Sequence, residues 1–283
     1  MMSLHSRTLG QVNHRRRDRR ALWWGVLGGG VVFVVVLLIG FWVTARQQEA
    51  ARRVAEEQLQ VQQAQVLQAA ALDQLDAGHA ETAAKMLTQV ITMTPAESEP
   101  YYYRAVAYTM LERYEEAVAD FDVAVQANPH WALPLAGRAQ AHAALGDLDA
   151  AIEDYSKAIN LEPGEAALYA NRGQLYHQRG KLQQAADDLN MAVQLAPDLV
   201  AARFNRGVLL YALGKYEEAI ADFGHAIEVA PENAPPYLNR GLILAELGEV
   251  EAARADLQKF ISLSDNAEWT QLAIQTLAEL DEK

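Results

Sequence analysis

The sequence predicts an all-α protein whose main part is a solenoid of six helical hairpins. Successive prolines are 34 residues apart and the residues between them recur in step; these prolines are Pro95, Pro129, Pro163, Pro197 and Pro231. Small residues recur at two places of each period, and glycine recurs between those places. Before the repeats, a long apolar run predicts one transmembrane helix. We therefore expect a transmembrane helix, a helical stalk, a right-handed α-α superhelical solenoid of 34-residue hairpins and a C-terminal capping helix.

The amino-terminal segment has the features of a membrane anchor. Residues 21–43 carry no charge, and at ~1.5 Å per residue a helix of that length crosses a ~30 Å hydrocarbon core. Tryptophan and phenylalanine stand near its ends, where such rings favour the headgroup region. Residues 1–20 form a basic tail with five arginines between positions 15 and 20, and fewer basic residues follow the span. The positive-inside rule then predicts a single-pass membrane protein with a cytoplasmic tail and with the repeats on the opposite side. The general style of the sequence, rather than a physical constraint, favours a bacterial inner membrane, so that the repeats face the periplasm.

Removal of this segment after export is an alternative. Residues 43–45, Val-Thr-Ala, resemble a small-residue cleavage site, and Arg19-Arg20 before the apolar run resembles a twin-arginine signal. The apolar run is longer than the roughly 7–15 residues usual in a signal peptide. An uncleaved anchor is therefore the favoured interpretation.

Residues 44–63 predict a helical stalk. They are rich in Ala, Gln, Glu and Arg and contain neither proline nor glycine. Their apolar residues do not keep a strict heptad. A single helix is the simpler interpretation, and coiled-coil dimerisation stays an alternative.

Six repeats follow, and each is predicted to be one helical hairpin. Their bounds are 64–97, 98–131, 132–165, 166–199, 200–233 and 234–265. Two helices approach closely only where side chains are small, and small residues fill the eighth and twentieth places of every repeat. Those at the eighth place are Ala71, Ala105, Ala139, Gly173, Gly207 and Gly241, and those at the twentieth are Ala83, Ala117, Ala151, Ala185, Ala219 and Ala253.

The ends of the helices are also marked in the sequence. Glycine reaches the left-handed conformation that ends a helix, and it fills the fifteenth place in five repeats. These residues are Gly78, Gly146, Gly180, Gly214 and Gly248. A large apolar residue at the twenty-fourth place predicts a buried stripe on the second helix. Residues 266–283 predict an amphipathic helix that caps the last repeat.

This pattern resembles the tetratricopeptide repeat, a 34-residue helical hairpin, over residues 64–283. The resemblance rests on an early aromatic residue, the small residue at the eighth place, an aromatic residue at the eleventh place and the closing proline. The aromatic residues are Tyr101, Tyr169 and Tyr237 at the fourth place, and Tyr108 and Tyr176 at the eleventh. Gln74, Phe260 and Asp265 depart from the pattern in the first and last repeats, as expected of repeats that face solvent or a cap.

Composition argues against several classes of function. The net charge is −13, and residues 64–283 hold 33 acidic against 15 basic residues, which disfavours nucleic-acid binding. The chain contains no cysteine, which removes disulfides and thiolate catalysis. Its histidines fall in unrelated places, with no HExxH pair and no glycine-rich phosphate loop. We therefore expect a binding protein that is not an enzyme and needs no metal or cofactor.

A charged pattern recurs in five consecutive repeats. Arginine fills the seventh place, at Arg104, Arg138, Arg172, Arg206 and Arg240, and aspartate fills the twenty-third, at Asp120, Asp154, Asp188, Asp222 and Asp256. The first repeat has neither, with Ala70 and Met86 instead. Joint presence and joint absence predict that the two places interact as a ladder of hydrogen bonds between helices. A row of arginines that grips acidic ligands is the alternative interpretation.

The resemblance implies that the first helices line a concave groove. The candidate groove residues are Tyr102, Tyr103, Gln140, Asn171, Gln174, His177, Phe204, Asn205, Tyr211 and Asn239. Asparagine recurs at the sixth place of three repeats, where its amide can bond an extended peptide or, alternatively, its own helix. Repeats that clamp acidic chaperone tails carry basic residues at the second and sixth places, and this chain has none there. We therefore expect a neutral or basic peptide partner.

Together these features predict a membrane-tethered scaffold for a peptide or a partner protein. Two alternatives stay open: a structural protein that self-associates to organise a membrane complex, and a regulatory subunit of an enzyme complex. Repeat architecture alone does not determine the partner.

Overall fold

The computed structural model describes the backbone of residues 7–281 and the side chains of residues 33–281. Over that range the chain forms thirteen α-helices and no strand. It divides into two units, residues 1–64 and residues 65–283. The predicted cytoplasmic tail, residues 1–20, and residues 21–32 of the predicted span lie outside the residues whose side chains are described.

The first unit consists of the helix α1 (Arg7–Asp76) as far as residue 64. The predicted stalk, residues 44–63, lies within this helix and has exposed side chains. The large apolar side chains of residues 33–43 are also exposed, each by at least 40%. Among the described residues, no helix holds a stretch that is both long and apolar enough to cross a membrane.

The second unit is an array of helical hairpins. After the end of α1 it contains α2 (Ala80–Met93), α3 (Glu99–Met110), α4 (Tyr114–Ala127), α5 (Ala132–Ala144), α6 (Leu148–Leu161), α7 (Ala166–Gln178), α8 (Leu182–Leu195), α9 (Val200–Ala212), α10 (Tyr216–Val229), α11 (Ala234–Glu246), α12 (Val250–Leu263) and α13 (Ala267–Asp281). From α2 onward each helix packs against the next one along the chain. The predicted all-α repeat solenoid is confirmed, and its right-handed twist stays a prediction.

The two helices of a hairpin meet at a small residue. A Cβ atom at Gly173 would lie 2.8 Å from Leu189, and one at Gly207 would lie 2.8 Å from the Phe223 ring. Leu189 and Phe223 hold the twenty-fourth place of their repeats and are fully buried. The small residue at the eighth place therefore leaves room for the large core residue of the second helix.

The turn inside each hairpin contains one residue in the left-handed region. The five glycines at the fifteenth place have φ between 70° and 84°. In the second repeat Glu112 takes this place, with φ of 57°. A Cβ atom is disfavoured in this conformation, so Glu112 introduces local backbone strain where the other repeats have none.

A hydrogen bond ties the start of several hairpins to the turn before it. The hydroxyls of Tyr101, Tyr169 and Tyr237 donate to the carbonyl oxygens of Pro95, Pro163 and Pro231, at 3.1–3.2 Å. In the fifth repeat Arg203 stands in place of the tyrosine, and its Nε donates to the Pro197 carbonyl at 2.9 Å. Two kinds of side chain therefore make the same connection.

Helix α13 covers the end of the last hairpin. Ala273 is fully buried and packs in one apolar cluster with Leu257 and Phe260 of α12. The Asn266 side chain accepts a hydrogen bond from the Trp269 amide at 3.0 Å, which stabilises the start of α13. The helix thus shields apolar surface that α11 and α12 would otherwise expose.

Candidate functional site

The sequence-predicted groove residues lie on the first helices of the repeats. Tyr102 and Tyr103 are on α3, Gln140 is on α5, Asn171, Gln174 and His177 are on α7, Phe204, Asn205 and Tyr211 are on α9, and Asn239 is on α11. Each is at least partly exposed. Their neighbours differ from repeat to repeat, so the repeats offer different chemistry along the array.

Aromatic rings cluster around the second repeat. The centroid of the Tyr102 ring lies 5.1 Å from that of Tyr103 and 5.9 Å from that of Phe121. Trp131, which directly precedes α5, lies 4.7 Å from Tyr102. Burial and, to a smaller extent, the neighbouring Tyr103 raise the pKa of Tyr102. Trp131 belongs to no repeated series, so the sequence pattern contains no signal for its place in this cluster.

Three of the predicted residues line one pocket. Gln140 of α5 and Asn171 and Gln174 of α7 border a cavity of about 260 Å³. Gln178 and Tyr155, which are outside the predicted set, also line it. The remaining lining residues are Ala143 and Leu175. The pocket therefore collects four side-chain amides and one phenol, and none of its lining side chains is charged at neutral pH.

Tyr155 and Asn171 are neighbours in the lining of this pocket. Tyr155 is only 4% exposed. Burial raises its pKa to about 12, and the neighbouring Asn171 side chain acts in the opposite direction to a smaller extent. The phenol is therefore neutral at physiological pH. Among the six repeats only this one has tyrosine at the twenty-fourth place.

The three asparagines of the predicted row differ in what they bond. Asn171 stands beside the Tyr155 phenol in the pocket, whereas Asn239 Nδ2 donates to the Pro235 carbonyl of its own helix at 3.0 Å. The Asn205 side chain makes no hydrogen bond within residues 33–281. The residue sixteen positions before Asn205 is Leu189, whose side chain has no polar group, whereas Tyr155 holds the corresponding place before Asn171. Asn205 therefore keeps its full hydrogen-bonding capacity for solvent or a ligand.

Other predicted groove residues on α9 are committed to contacts inside the array. The Tyr211 hydroxyl donates to Oε1 of Glu246 at 2.8 Å and so links α9 to α11. This hydrogen bond, followed by burial, raises the pKa of Tyr211. The Phe204 ring lies 5.7 Å from that of Phe223 and is part of an apolar cluster.

His177 on α7 is half-buried, with no side-chain hydrogen bond to any described residue.

The arginines and aspartates of the charged pattern form five two-point hydrogen bonds. Nε and Nη2 of each arginine donate to the two carboxylate oxygens of the aspartate sixteen residues later, at 2.6–2.8 Å. The pairs are Arg104–Asp120, Arg138–Asp154, Arg172–Asp188, Arg206–Asp222 and Arg240–Asp256. All five aspartates are buried. The hydrogen bonds that each arginine donates to its aspartate are the main reason that the pKa of the arginine is raised, and burial acts against it.

The third guanidinium nitrogen reaches the preceding repeat. Nη1 donates to the side chain sixteen residues earlier, from Arg104 to Thr88 at 3.0 Å, from Arg138 to Asp122, from Arg172 to Ser156 at 2.9 Å and from Arg206 to Asn190 at 3.2 Å. For Arg240 the corresponding residue is Gly224, which has no side-chain acceptor. Four arginines thus join two hairpins each. The acceptor is a different residue in every repeat, so no repeated series predicts this contact.

Asp222 accepts a hydrogen bond from a second arginine. Nη1 of Arg203 donates to the Asp222 carboxylate at 2.9 Å, in addition to the two bonds from Arg206. Asp222 is 2% exposed, and two cations therefore neutralise one buried carboxylate. The buried carboxylate is therefore paired inside the array.

The described residues contain no candidate metal centre. Within residues 33–281, no three His, Asp or Glu side chains are grouped so that they could hold a metal ion. The neutral pocket and the exposed amides and rings of the first helices are the candidate features for recognition.

Helical hairpins stacked in series, with polar side chains on their first helices, define a helical-repeat protein. Family models described as TPR repeat match residues 139–179, 173–214 and 209–248. Models described as tetratricopeptide repeat match residues 69–130 and 234–266. The chain belongs to the tetratricopeptide-repeat family.

Several solved structures share this fold. A chain of the APC/C hetero-tetramer Cut9-Hcn1 matches 74% of this chain with a TM-score of 0.66 and 19% identity, and the match spans 42% of that chain. PilF from Pseudomonas aeruginosa matches 76% of this chain and 99% of its own length, with a TM-score of 0.66 and 16% identity. YrrB, a TPR protein with an unusual peptide-binding site, matches 68% of this chain and 99% of its own length, with a TM-score of 0.51 and 23% identity. No curated protein sequence matches the chain.

Proposed function

We propose that this chain is a membrane-tethered scaffold, with no catalytic activity of its own, that holds an extended peptide or partner segment along the first helices of the repeats. The observation that carries the proposal is the pocket lined by Gln140, Asn171 and Gln174, because it joins amides of two neighbouring repeats at one surface site. Amides donate and accept hydrogen bonds, as a peptide backbone requires. YrrB, which has a similar fold, is described as having a peptide-binding site.

The charge of the chain favours a neutral or basic partner. None of the ten candidate groove residues is Lys, Arg, Asp or Glu, whereas the chain as a whole has a net charge of −13. A negative field speeds the encounter with a basic segment and slows that with an acidic one. Binding strength then depends on neutral hydrogen bonds and ring contacts in the groove.

Residues 21–43 are the proposed membrane anchor. The run carries no charge, and in its second part the large apolar side chains from Phe33 to Val43 are exposed. A continuous exposed apolar surface is unfavourable in water and suits a hydrocarbon environment. The arginines before the run favour a cytoplasmic amino terminus, which leaves the repeats on the periplasmic side.

The orientation can be measured directly because the chain has no cysteine. Single cysteines at Ser3 and Gln194 would be treated in bacterial spheroplasts with a maleimide that does not cross membranes. We expect labelling of the Gln194→Cys variant and protection of the Ser3→Cys variant until the membrane is permeabilised. Labelling of Ser3→Cys alone would reverse the proposed topology, and release of the repeats from washed membranes would overturn the tether.

Partner binding is tested by photocrosslinking in native membranes. A photoreactive amino acid at Asn205, whose side chain has no hydrogen bond to the described chain, is compared with one at the exposed Glu217 of α10. We expect a discrete partner captured from position 205 and not from position 217, identified by mass spectrometry. Crosslinks only between copies of this chain would favour the self-associating organiser instead.

A further inference from the structure

We propose that the pocket between α5 and α7, defined by Gln140, Tyr155, Asn171, Gln174 and Gln178, binds the side-chain carboxamide of an asparagine or glutamine in the partner segment. This inference deepens the proposed scaffold function and rests on it. It differs from general peptide binding because it assigns one residue type of the partner to one place in the array.

The lining of the pocket is unlike the rest of the chain. Four of its side chains, Gln140, Asn171, Gln174 and Gln178, end in carboxamides, and none is ionised at neutral pH. The surrounding chain is strongly acidic, with a net charge of −13. A carboxamide offers two N–H donors and an acceptor oxygen, so it matches another carboxamide in both roles.

One of these amides stands beside a buried phenol and the others are free. Asn171 and Tyr155 line the pocket together, and Tyr155 is buried. Gln140, Gln174 and Gln178 make no side-chain hydrogen bond within residues 33–281 and are exposed. The pocket thus combines one amide beside a phenol with three amides that have no partner among the described residues.

The pocket has room for an asparagine or glutamine side chain. Its volume is about 260 Å³, below the roughly 300–1,000 Å³ of sites that enclose whole small molecules. A charged side chain would lose hydration without meeting an opposite charge among the lining residues. An aliphatic side chain would displace water from the amides and leave them unpaired, and sites built for hydrogen bonding reject such analogues strongly.

The test uses three capped peptides with the full-length chain in lipid nanodiscs. Their sequences are Ala-Ala-Gln-Ala-Ala, the same peptide with Glu in the middle, and the same with Leu, and binding is read by saturation-transfer NMR. We expect the Gln peptide to bind at least tenfold more tightly than the other two, with little effect of added salt because no ion pair is formed. Equal binding of all three would show that backbone amides are recognised and would overturn the proposal.

Variants locate the site. Gln174→Leu should reduce binding of the Gln peptide at least tenfold, and Tyr155→Phe should reduce it by a smaller factor because the pocket loses one hydroxyl. Gln194→Leu is the matched control, since Gln194 is exposed on α8 and does not line the pocket. Unchanged thermal unfolding of Gln174→Leu would show that the fold is intact. Equal loss in the Gln174→Leu and Gln194→Leu variants, or no loss in either, would overturn the assignment.

The outcome is separable from that of the scaffold proposal. Capture of a partner from position 205, together with unselective peptides or an unaffected Gln174→Leu variant, would overturn the pocket assignment alone. Selective binding of the Gln peptide without any captured partner would support the pocket chemistry and count against the scaffold function.

Discussion

Arg172 and Asp188 form a two-point hydrogen bond across their hairpin, with Nε and Nη2 of the arginine 2.7 and 2.8 Å from the two carboxylate oxygens. Nη1 of the same arginine donates to Ser156 of the preceding hairpin at 2.9 Å. The rings of Tyr169 and Tyr176 flank the guanidinium, with centroids 5.9 and 5.7 Å from its central carbon. A single side chain therefore connects α7 to α8 and also to α6.

Replacing Arg172 by alanine should destabilise the array by about 2–4 kcal/mol, because the buried Asp188 carboxylate would lose its counter-ion and two hydrogen bonds. The change is measured by urea unfolding followed by circular dichroism. Arg179→Ala serves as the control, since it removes an exposed ion pair with Asp149 that contributes at most about 1 kcal/mol. Unchanged stability of Arg172→Ala together with lost partner capture would favour the ligand-gripping interpretation of the arginines.

Replacing Gly224 by serine should complete the arginine ladder at Arg240. A Cβ atom at Gly224 would meet only Arg240 Nη1, at 3.4 Å, so the site has room for a side chain. We expect stabilisation by about 1 kcal/mol from helix propensity and the new hydrogen bond. The contributions of helix propensity and of the new hydrogen bond can be separated in an Arg240→Lys background, because lysine lacks the forked set of donors that arginine has. There the gain from Gly224→Ser should shrink while that from Gly224→Ala persists, and equal gains in both backgrounds would argue against the bond.

Adding a side chain at Gly137 should destabilise the protein, in contrast to the same change at Gly224. A Cβ atom there would lie 2.4 and 2.6 Å from two carbons of the Phe121 ring, which is itself buried. Gly137→Ala should therefore destabilise the protein by about 1–3 kcal/mol despite the better helix propensity of alanine. Gly224→Ala is the matched control, because both glycines are inside helices and only Gly137 faces a buried ring. Stabilisation of both variants would show that the Phe121 ring moves aside at little cost.

Glu112→Gly should stabilise the turn of the second repeat. Glu112 has φ of 57°, in the region where the other five turns have glycine. Removing the Cβ atom relieves about 1 kcal/mol of strain, and part of this gain is offset by the greater flexibility of glycine when unfolded. Thermal unfolding measures the net change. The reciprocal variant Gly146→Ala should lower stability by a similar amount, and an unchanged melting temperature in both would contradict the strain argument.

The hairpin pattern could be predicted because each of its parts depends on one kind of residue at a fixed place. The small residue at Gly173 and the large one at Leu189 recur in every repeat with the same division of size. The turn place held by Gly146 is also glycine in four other repeats, and all five glycines have positive φ. Glu112 is the exception. The backbone keeps the left-handed turn there, but a glutamate at this place does not predict such a turn.

Contacts that change from repeat to repeat left no such pattern. Thr88, Asp122, Ser156 and Asn190 accept the same arginine bond, yet their side chains share only the capacity to accept. The predicted pairing of arginine with aspartate rested on two invariant residue types, and the structure places those side chains within hydrogen-bonding distance in all five repeats. The side chain that accepts from the arginine in the preceding repeat is set by how the hairpins stack, so only the structure identifies it.

By itself the sequence determined the succession of helical hairpins, because helix crossing, turn and helix end are set by local size and backbone conformation at a constant spacing. Only the tertiary structure decided which of the exposed amides are free to bind. Asn171, Asn205 and Asn239 hold the same place, yet the first borders the Tyr155 phenol in a pocket, the second bonds no described residue and the third bonds its own helix. The difference arises because each asparagine can bond only what neighbouring helices bring close to it, and a phenol stands sixteen residues earlier only for Asn171.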